Sequence, residues 1–219
     1  QGKTTRKSSF FVEVNMSKVY IMGILLSILL NNNVIMGVPV QNELELFLYT
    51  NEKTQKQLEI QYQNEEDLTN VISLLKEIPP EIVDCVDKLV LYDNEVEENV
   101  AGISKDRTVK LYDFSKYCVA TQKHIICHEF AHIWGNKLMQ YKVLDYHYTD
   151  YAEAVKKDNN YISSYSKKYI IEKNNYSEDF ADSVAKYLIS DKKLSKKYSN
   201  RQAYIEQMLD ICEGGLYET

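Results

Sequence analysis

The residues best equipped for chemistry are His128, Glu129 and His132, within the run Ile125-Ile126-Cys127-His128-Glu129-Phe130-Ala131-His132-Ile133-Trp134. Histidines at i and i+4 lie one above the other on a single face of an α-helix. That places two imidazole nitrogens where one Zn²⁺ can be held at about 2.0–2.1 Å from each. Glu129 directly follows the first histidine, so it can reach a water on the metal without being a ligand itself. This is the H-E-x-x-H arrangement, with glutamate as general base. With 4 His in 219 residues, such a pattern arises by chance with a probability on the order of 0.01. Ile125, Ile126, Phe130, Ile133 and Trp134 make the flanks apolar, so the segment reads as a buried helix. Burying two histidines and a glutamate unpaired costs several kcal/mol, and a metal removes that cost.

Two histidines do not complete a zinc site. A continuation to H-E-x-x-H-x-x-G-x-x-H would supply a third histidine, and Gly135 is in place, but Leu138 stands where that histidine belongs. A carboxylate from a second helix is the alternative, and Ser177-Glu178-Asp179-Phe180-Ala181-Asp182-Ser183-Val184-Ala185-Lys186-Tyr187-Leu188 offers one. Ser177 is a good N-cap, and Glu178 and Asp179 in the first turn suit the helix dipole. Phe180, Val184, Tyr187 and Leu188 form an apolar stripe. Glu178 and Asp182, four apart, share a face. Glu178 can bind zinc while Asp182 orients a liganding histidine through its second ring nitrogen.

These two segments together resemble the gluzincin metallopeptidases related to the catalytic domain of anthrax lethal factor, a group that includes the clostridial Pro-Pro endopeptidases. The resemblance rests on His128-Glu129-Phe130-Ala131-His132 followed by Glu178-Asp179-Phe180-Ala181-Asp182-Ser183, and it spans roughly residues 85–190. It implies an α+β, zincin-like fold: a small twisted sheet packed on the active-site helix, then a mostly helical C-terminal half. It also implies His128, His132 and Glu178 as Zn²⁺ ligands, Glu129 as base, and a peptide bond as the target. Two family positions differ. Gly135 stands where the family has an aspartate, and Ile171 where it has the tyrosine that stabilises the developing oxyanion. Ile162-Ser163-Ser164-Tyr165-Ser166 resembles the family's Ser-x-Tyr segment, with residues such as Ile170 to Asn175 inserted after it. Tyr165 is therefore the expected oxyanion donor, with Tyr169 and Tyr176 behind it. Zincins lay an extended substrate along the edge strand beside the active-site helix. Val100-Ala101-Gly102-Ile103-Ser104 is the expected strand here, pairing by β-strand addition.

The elements that must position these groups follow from periodicity. Glu43 to Tyr49 and Leu58 to Tyr62 alternate as strands do. Glu65 to Ile78 has helical spacing and is closed by Pro79-Pro80. A helical turn over Glu81 to Val86 precedes a strand at Lys88 to Tyr92. Asn99 to Ser104 and Thr108 to Phe114 are strands around a turn at Lys105-Asp106-Arg107. A helix over about 119–140 carries the motif, and helices over Asp150 to Lys157, Tyr161 to Lys168, Glu178 to Ser190 and Asn200 to Cys212 follow. His124, one turn before His128, is expected to make an outer contact; His147 sits in a loop.

Composition bounds the remaining choices. A chain 44% hydrophobic and 26% charged is an ordinary globular domain, and a net charge of −6 argues against a nucleic-acid binder. Residues 1–37 read as a leader: Arg6, Lys7 and Lys18 precede an apolar core at 19–30 that is short for a bilayer span. The expectation is a secretory signal cleaved after Gly37, leaving 38–219 as a single catalytic domain, secreted and acting as a monomer. The alternative is a membrane anchor through residues 19–30. Cys85, Cys118, Cys127 and Cys212 lack C-x-x-C spacing, so no thiolate zinc site is expected. Secretion would permit disulfides, whereas Cys127 reads as a packed free thiol. The resulting expectation is a secreted zinc endopeptidase acting on an extended peptide. A catalytically silent docking domain and a membrane-tethered regulatory protease are the alternatives.

Overall fold

A computed structural model describes residues 43–93 and 100–214, which form a mixed α+β structure. The leader expected at 1–37 lies outside the described residues. Among those described, no helix is long and apolar enough to cross a membrane.

Five strands form one sheet: β1 (Glu45–Thr50), β2 (Gln57–Tyr62), β3 (Lys88–Tyr92), β4 (Gly102–Lys105) and β5 (Thr108–Tyr112), in the order β1-β2-β3-β5-β4. The β1–β2 and β4–β5 pairs are antiparallel, while β2–β3 and β3–β5 are parallel. Parallel β2 and β3 need a crossover, supplied by α1 (Glu65–Leu75) and α2 (Pro80–Val83). Alternation puts Leu58 and Ile60, Leu89 and Leu91, and Val109 and Leu111 into the core. Leu46, Leu48 and Ile103 remain exposed.

The second half is helical: α3 (Val119–Gln140), α4 (Thr149–Asp158), α5 (Ser164–Lys173), α6 (Ser177–Ile189) and α7 (Ser199–Glu213). Every helix and strand expected from periodicity is present, with ends shifted by a few residues. The largest shift is at α5, which runs on to Lys173 before Asn174 ends it in the left-handed conformation. Most of the inserted residues 170–175 thus lengthen a helix, and Ile171 faces solvent. Ser177 is not the N-cap expected: it occupies the first turn of α6, and Asn175 Oδ1 accepts from its backbone N–H at 2.8 Å.

The helix α3 is buried along its middle, from Ile125 and Ile126 through Phe130 to Ile133 and Trp134. It packs against β4, β5 and α6. The α6 stripe of Phe180, Val184, Tyr187 and Leu188 is buried as expected, and the Phe180 and Trp134 rings meet at 5.6 Å. Gly135 permits this approach: a Cβ there would stand 2.8 Å from Tyr148 Oη and 3.3 Å from Phe180 Cε1. The position that resembles an aspartate site is occupied here by packing.

Candidate metal centre

The α3–α6 contact brings the expected ligands together although His128 and Glu178 are 50 residues apart (178 − 128). His128 Nε2 and His132 Nε2 are 3.1 Å apart, and Glu178 Oε2 is 3.4 Å from each. Bonds of about 2.0–2.1 Å in a tetrahedral zinc site separate ligand atoms by about 3.3–3.4 Å. The two edges to Glu178 match that figure, and the edge between the histidines is about 0.2 Å shorter. Two imidazole nitrogens and a carboxylate oxygen, each about one-sixth exposed, form a donor set that fits zinc.

Asp182 reaches the second ring nitrogen of His128. Its Oδ1 accepts from His128 Nδ1 at 3.0 Å, which leaves Nε2 turned toward Glu178 and His132. His124 Nε2 lies 3.6 Å from the same oxygen, an outer contact. His147 is exposed, with its ring against Tyr146.

Electrostatics follow from this clustering. Burial disfavours the His128 cation, but hydrogen bonds to Asp182 and Glu178, with the nearby Glu129 and Asp182 charges, outweigh it and raise its pKa to about 10. Burial would raise Glu178; its contacts with His128 and His132 instead hold it down at about 2. For Asp182, contacts with His124, His128 and Ser163 outweigh burial and hold the carboxyl far below its usual range. In metal-free protein the His128 contribution to stability is therefore fully present below its ordinary value of 6.5 and is lost as pH rises through about 10. The Glu178 contribution is present above 4.5 and is lost as pH falls through about 2.

A ligating imidazole must be neutral, so zinc binding at pH 7 is expected to displace about one proton from His128. Titration calorimetry of chelator-stripped protein in buffers of different ionisation enthalpy measures that proton directly. Apparent zinc affinity should rise about tenfold per pH unit from 7 to 9. A pH-independent affinity across this range contradicts the placement of His128 among the ligands.

Glu129 lies outside the three converging atoms. It is buried between α3 and β4, where a Cβ on Gly102 would come within 2.9 Å of Glu129 Cγ and 3.1 Å of Oε1. Only glycine lets the strand approach the carboxylate this closely. The strand β4 is an edge of the sheet, so the expected segment around Gly102–Ser104 does border the motif helix. Tyr165 occupies the first turn of α5, half-exposed, and its hydroxyl donates to Tyr169 Oη at 3.2 Å. Burial, the Tyr169 contact, and then the charges of Glu178 and Glu129 raise its pKa, so the hydroxyl lies within electrostatic reach of both carboxylates. Lys173 covers the Tyr169 ring at 4.2 Å, and Tyr176 stands at the entry to α6.

Among the described residues, no disulfide joins Cys85, Cys118, Cys127 or Cys212. Burial pushes the Cys127 thiol up to about 12, so it stays protonated, as expected of a packed thiol.

Several groups that shape the site escape a reading of sequence. Ser163 donates to Asp182 Oδ2, and Ser166 Oγ donates to Asp179 Oδ2 at 3.1 Å. Arg201, on the distant α7, binds Asp179 through both Nε at 2.7 Å and an Nη at 3.1 Å. An arginine opening a helix carries no signal of burial. The serines carry only a weak one, as helix-start residues.

No family model matches the chain, and neither the curated proteins nor the solved structures contain a significant match.

Proposed function

We propose that the protein is a zincin-like, secreted, zinc-dependent endopeptidase that hydrolyses a peptide bond in an extended polypeptide. The observation that carries this reading is the triangle of His128 Nε2, His132 Nε2 and Glu178 Oε2, with edges of 3.1, 3.4 and 3.4 Å, beside a fourth group, Glu129, that does not join it. His128, His132 and Glu178 would hold the metal. When bound, zinc supplies a Lewis acid that polarises a carbonyl and makes water acidic near neutral pH.

The rest is work for the chain. Glu129 takes the proton of the attacking water and returns it to the leaving amine. Tyr165 donates its hydroxyl hydrogen toward the oxygen on which charge develops; such donors are worth about 10²–10³ in rate. Asp182 fixes the His128 tautomer. The β4 edge offers backbone N–H and C=O groups to an extended substrate, close to Glu129 because Gly102 has no side chain. The N-terminal apolar segment supports the export reading.

The test is cleavage of a mixed-sequence peptide library by the purified protein, read by mass spectrometry. Cleavage is expected to stop with a chelator and return with added zinc. Zinc bound at one equivalent with no peptide cut would refute the peptidase reading. Failure to bind zinc would refute the metal centre itself.

A further inference from the structure

The carboxylate that orients His128 also holds the helix that carries Tyr165. Asp182 Oδ1 accepts from His128 Nδ1, while Asp182 Oδ2 accepts from the Ser163 hydroxyl. Ser163 is at the same time the N-cap of α5: its Oγ accepts from the Ser166 backbone N–H at 3.0 Å, and Ser166 Oγ closes the reciprocal bond to the Ser163 N–H at 3.3 Å. Ser166 Oγ also reaches Asp179 Oδ2, and Ser166 is buried while its neighbours Ser164, Tyr165 and Lys167 are exposed. The first turn of α5 is thus fastened to α6 at two carboxylates. Tyr165 sits between the two serines that make the fastening.

The geometry points to Ser163 as a positioning residue that latches the Tyr165-bearing turn of α5 to Asp182, so that ordering of α5 and occupation of the metal centre are linked. It rests on His128, His132 and Glu178 being the ligands. The physical basis is one shared carboxylate. A metal shared with His132 and Glu178 would hold the His128 ring in one place, and with it the Nδ1–H that Asp182 accepts, and a fixed Asp182 is a better acceptor for Ser163. Linkage is reciprocal: a docked α5 then favours metal binding by the same factor. Substrate turnover would require Tyr165 in place, so the latch favours the catalytic arrangement in the metal-loaded protein.

Amide hydrogen exchange of the full chain, read by mass spectrometry over residues 161–173, tests this without any substrate. Zinc is expected to slow exchange in α5 of the parent by about tenfold, the size of one charge-assisted hydrogen bond. Ser163→Ala is expected to bind zinc with the same stoichiometry while α5 no longer responds to it. Ser163→Thr keeps the hydroxyl and should restore the response. Loss of the cap alone could loosen α5 in the alanine variant, so Asp182→Ala supplies the second arm: it removes the acceptor and leaves the cap intact. The latch predicts faster exchange in α5 for Asp182→Ala, with or without zinc. An α5 whose exchange ignores zinc in the parent, or is unchanged in Asp182→Ala, overturns the proposal. If the parent binds no zinc, the metal centre has failed; unchanged α5 exchange in metal-free Asp182→Ala would then overturn the latch independently.

Discussion

Glu129→Gln is expected to lower peptide hydrolysis by about 10²–10⁴-fold, the range that general acid–base catalysis contributes, with zinc content and affinity close to those of the parent. The two halves of this expectation come from separate facts. The three donor atoms that converge belong to His128, His132 and Glu178, so the metal loses no ligand. The Glu129 carboxylate instead lies toward β4, against Gly102 and on the side where an extended chain would pair. Glutamine keeps the volume and contacts of the side chain but cannot accept the proton. Alanine is the harsher control. It removes the Cγ and carboxylate that fill the space between α3 and β4, so a cost in packing is added to the loss of the base. The measurement is kcat/KM on the best peptide found by library cleavage, with metal content of the same sample. Glutamine retaining more than about a tenth of parental activity would rule out Glu129 as base. A sample that had lost its zinc would instead show that Glu129 serves the metal.

Much of this arrangement was legible before any fold was known, for reasons that differ by residue. His128, Glu129 and His132 are near neighbours on one helix, so their mutual geometry follows from helical periodicity alone. Glu178 was reachable because a zinc site demands a third ligand and α6 presents a carboxylate above an apolar stripe. Strand β3 appears at Lys88–Tyr92 as expected of its short apolar run, and the motif helix spans Val119–Gln140. What periodicity cannot carry is the identity of a partner across the fold. Asp179 in a first turn reads as a solvated charge suited to the helix dipole, yet it is fully buried because Arg201 and Tyr151 enclose it. Ser177 has the residue type of a cap, but it lies inside the first turn of α6, and Asn175 Oδ1 accepts from its own backbone N–H. The end of α5 was missed because Lys168 to Lys173 has no breaker, and Asn174 acts only through its left-handed backbone. Gly135 looked like a lost polar contact and is instead the space into which Tyr148 and Phe180 pack.

Arg201→Met is expected to be the most destabilising single change outside the metal centre, at about 3–5 kcal/mol, which is the cost of breaking a buried ion pair from one side. Arg201 is 0% exposed and binds Asp158 and Asp179 at 3.1 and 2.7 Å, while its second Nη donates to Asn160 O at 2.7 Å. These partners belong to the end of α4, the segment after it and the first turn of α6, so one guanidinium joins three parts of the helical half to α7. Methionine fills similar space but leaves two buried carboxylates facing each other without a cation. Lysine keeps a charge, yet it cannot reproduce the planar fork that meets Asp179 through two nitrogens. A loss of this size consumes a large part of the 5–15 kcal/mol typical of a folded domain, so the variant should unfold at far lower urea concentration. Equilibrium denaturation followed by circular dichroism measures the difference. Asp179→Asn in the same background removes one of the stranded charges, and it is expected to recover part of the loss. A shift below about 1 kcal/mol for Arg201→Met, the scale of an exposed pair, would mean that water reaches these carboxylates. In the folded fraction, zinc affinity should also fall, because Asp179 anchors to Arg201 the first turn of α6, which carries Glu178. The buried arginine would then act on stability and on the site through the same two hydrogen bonds.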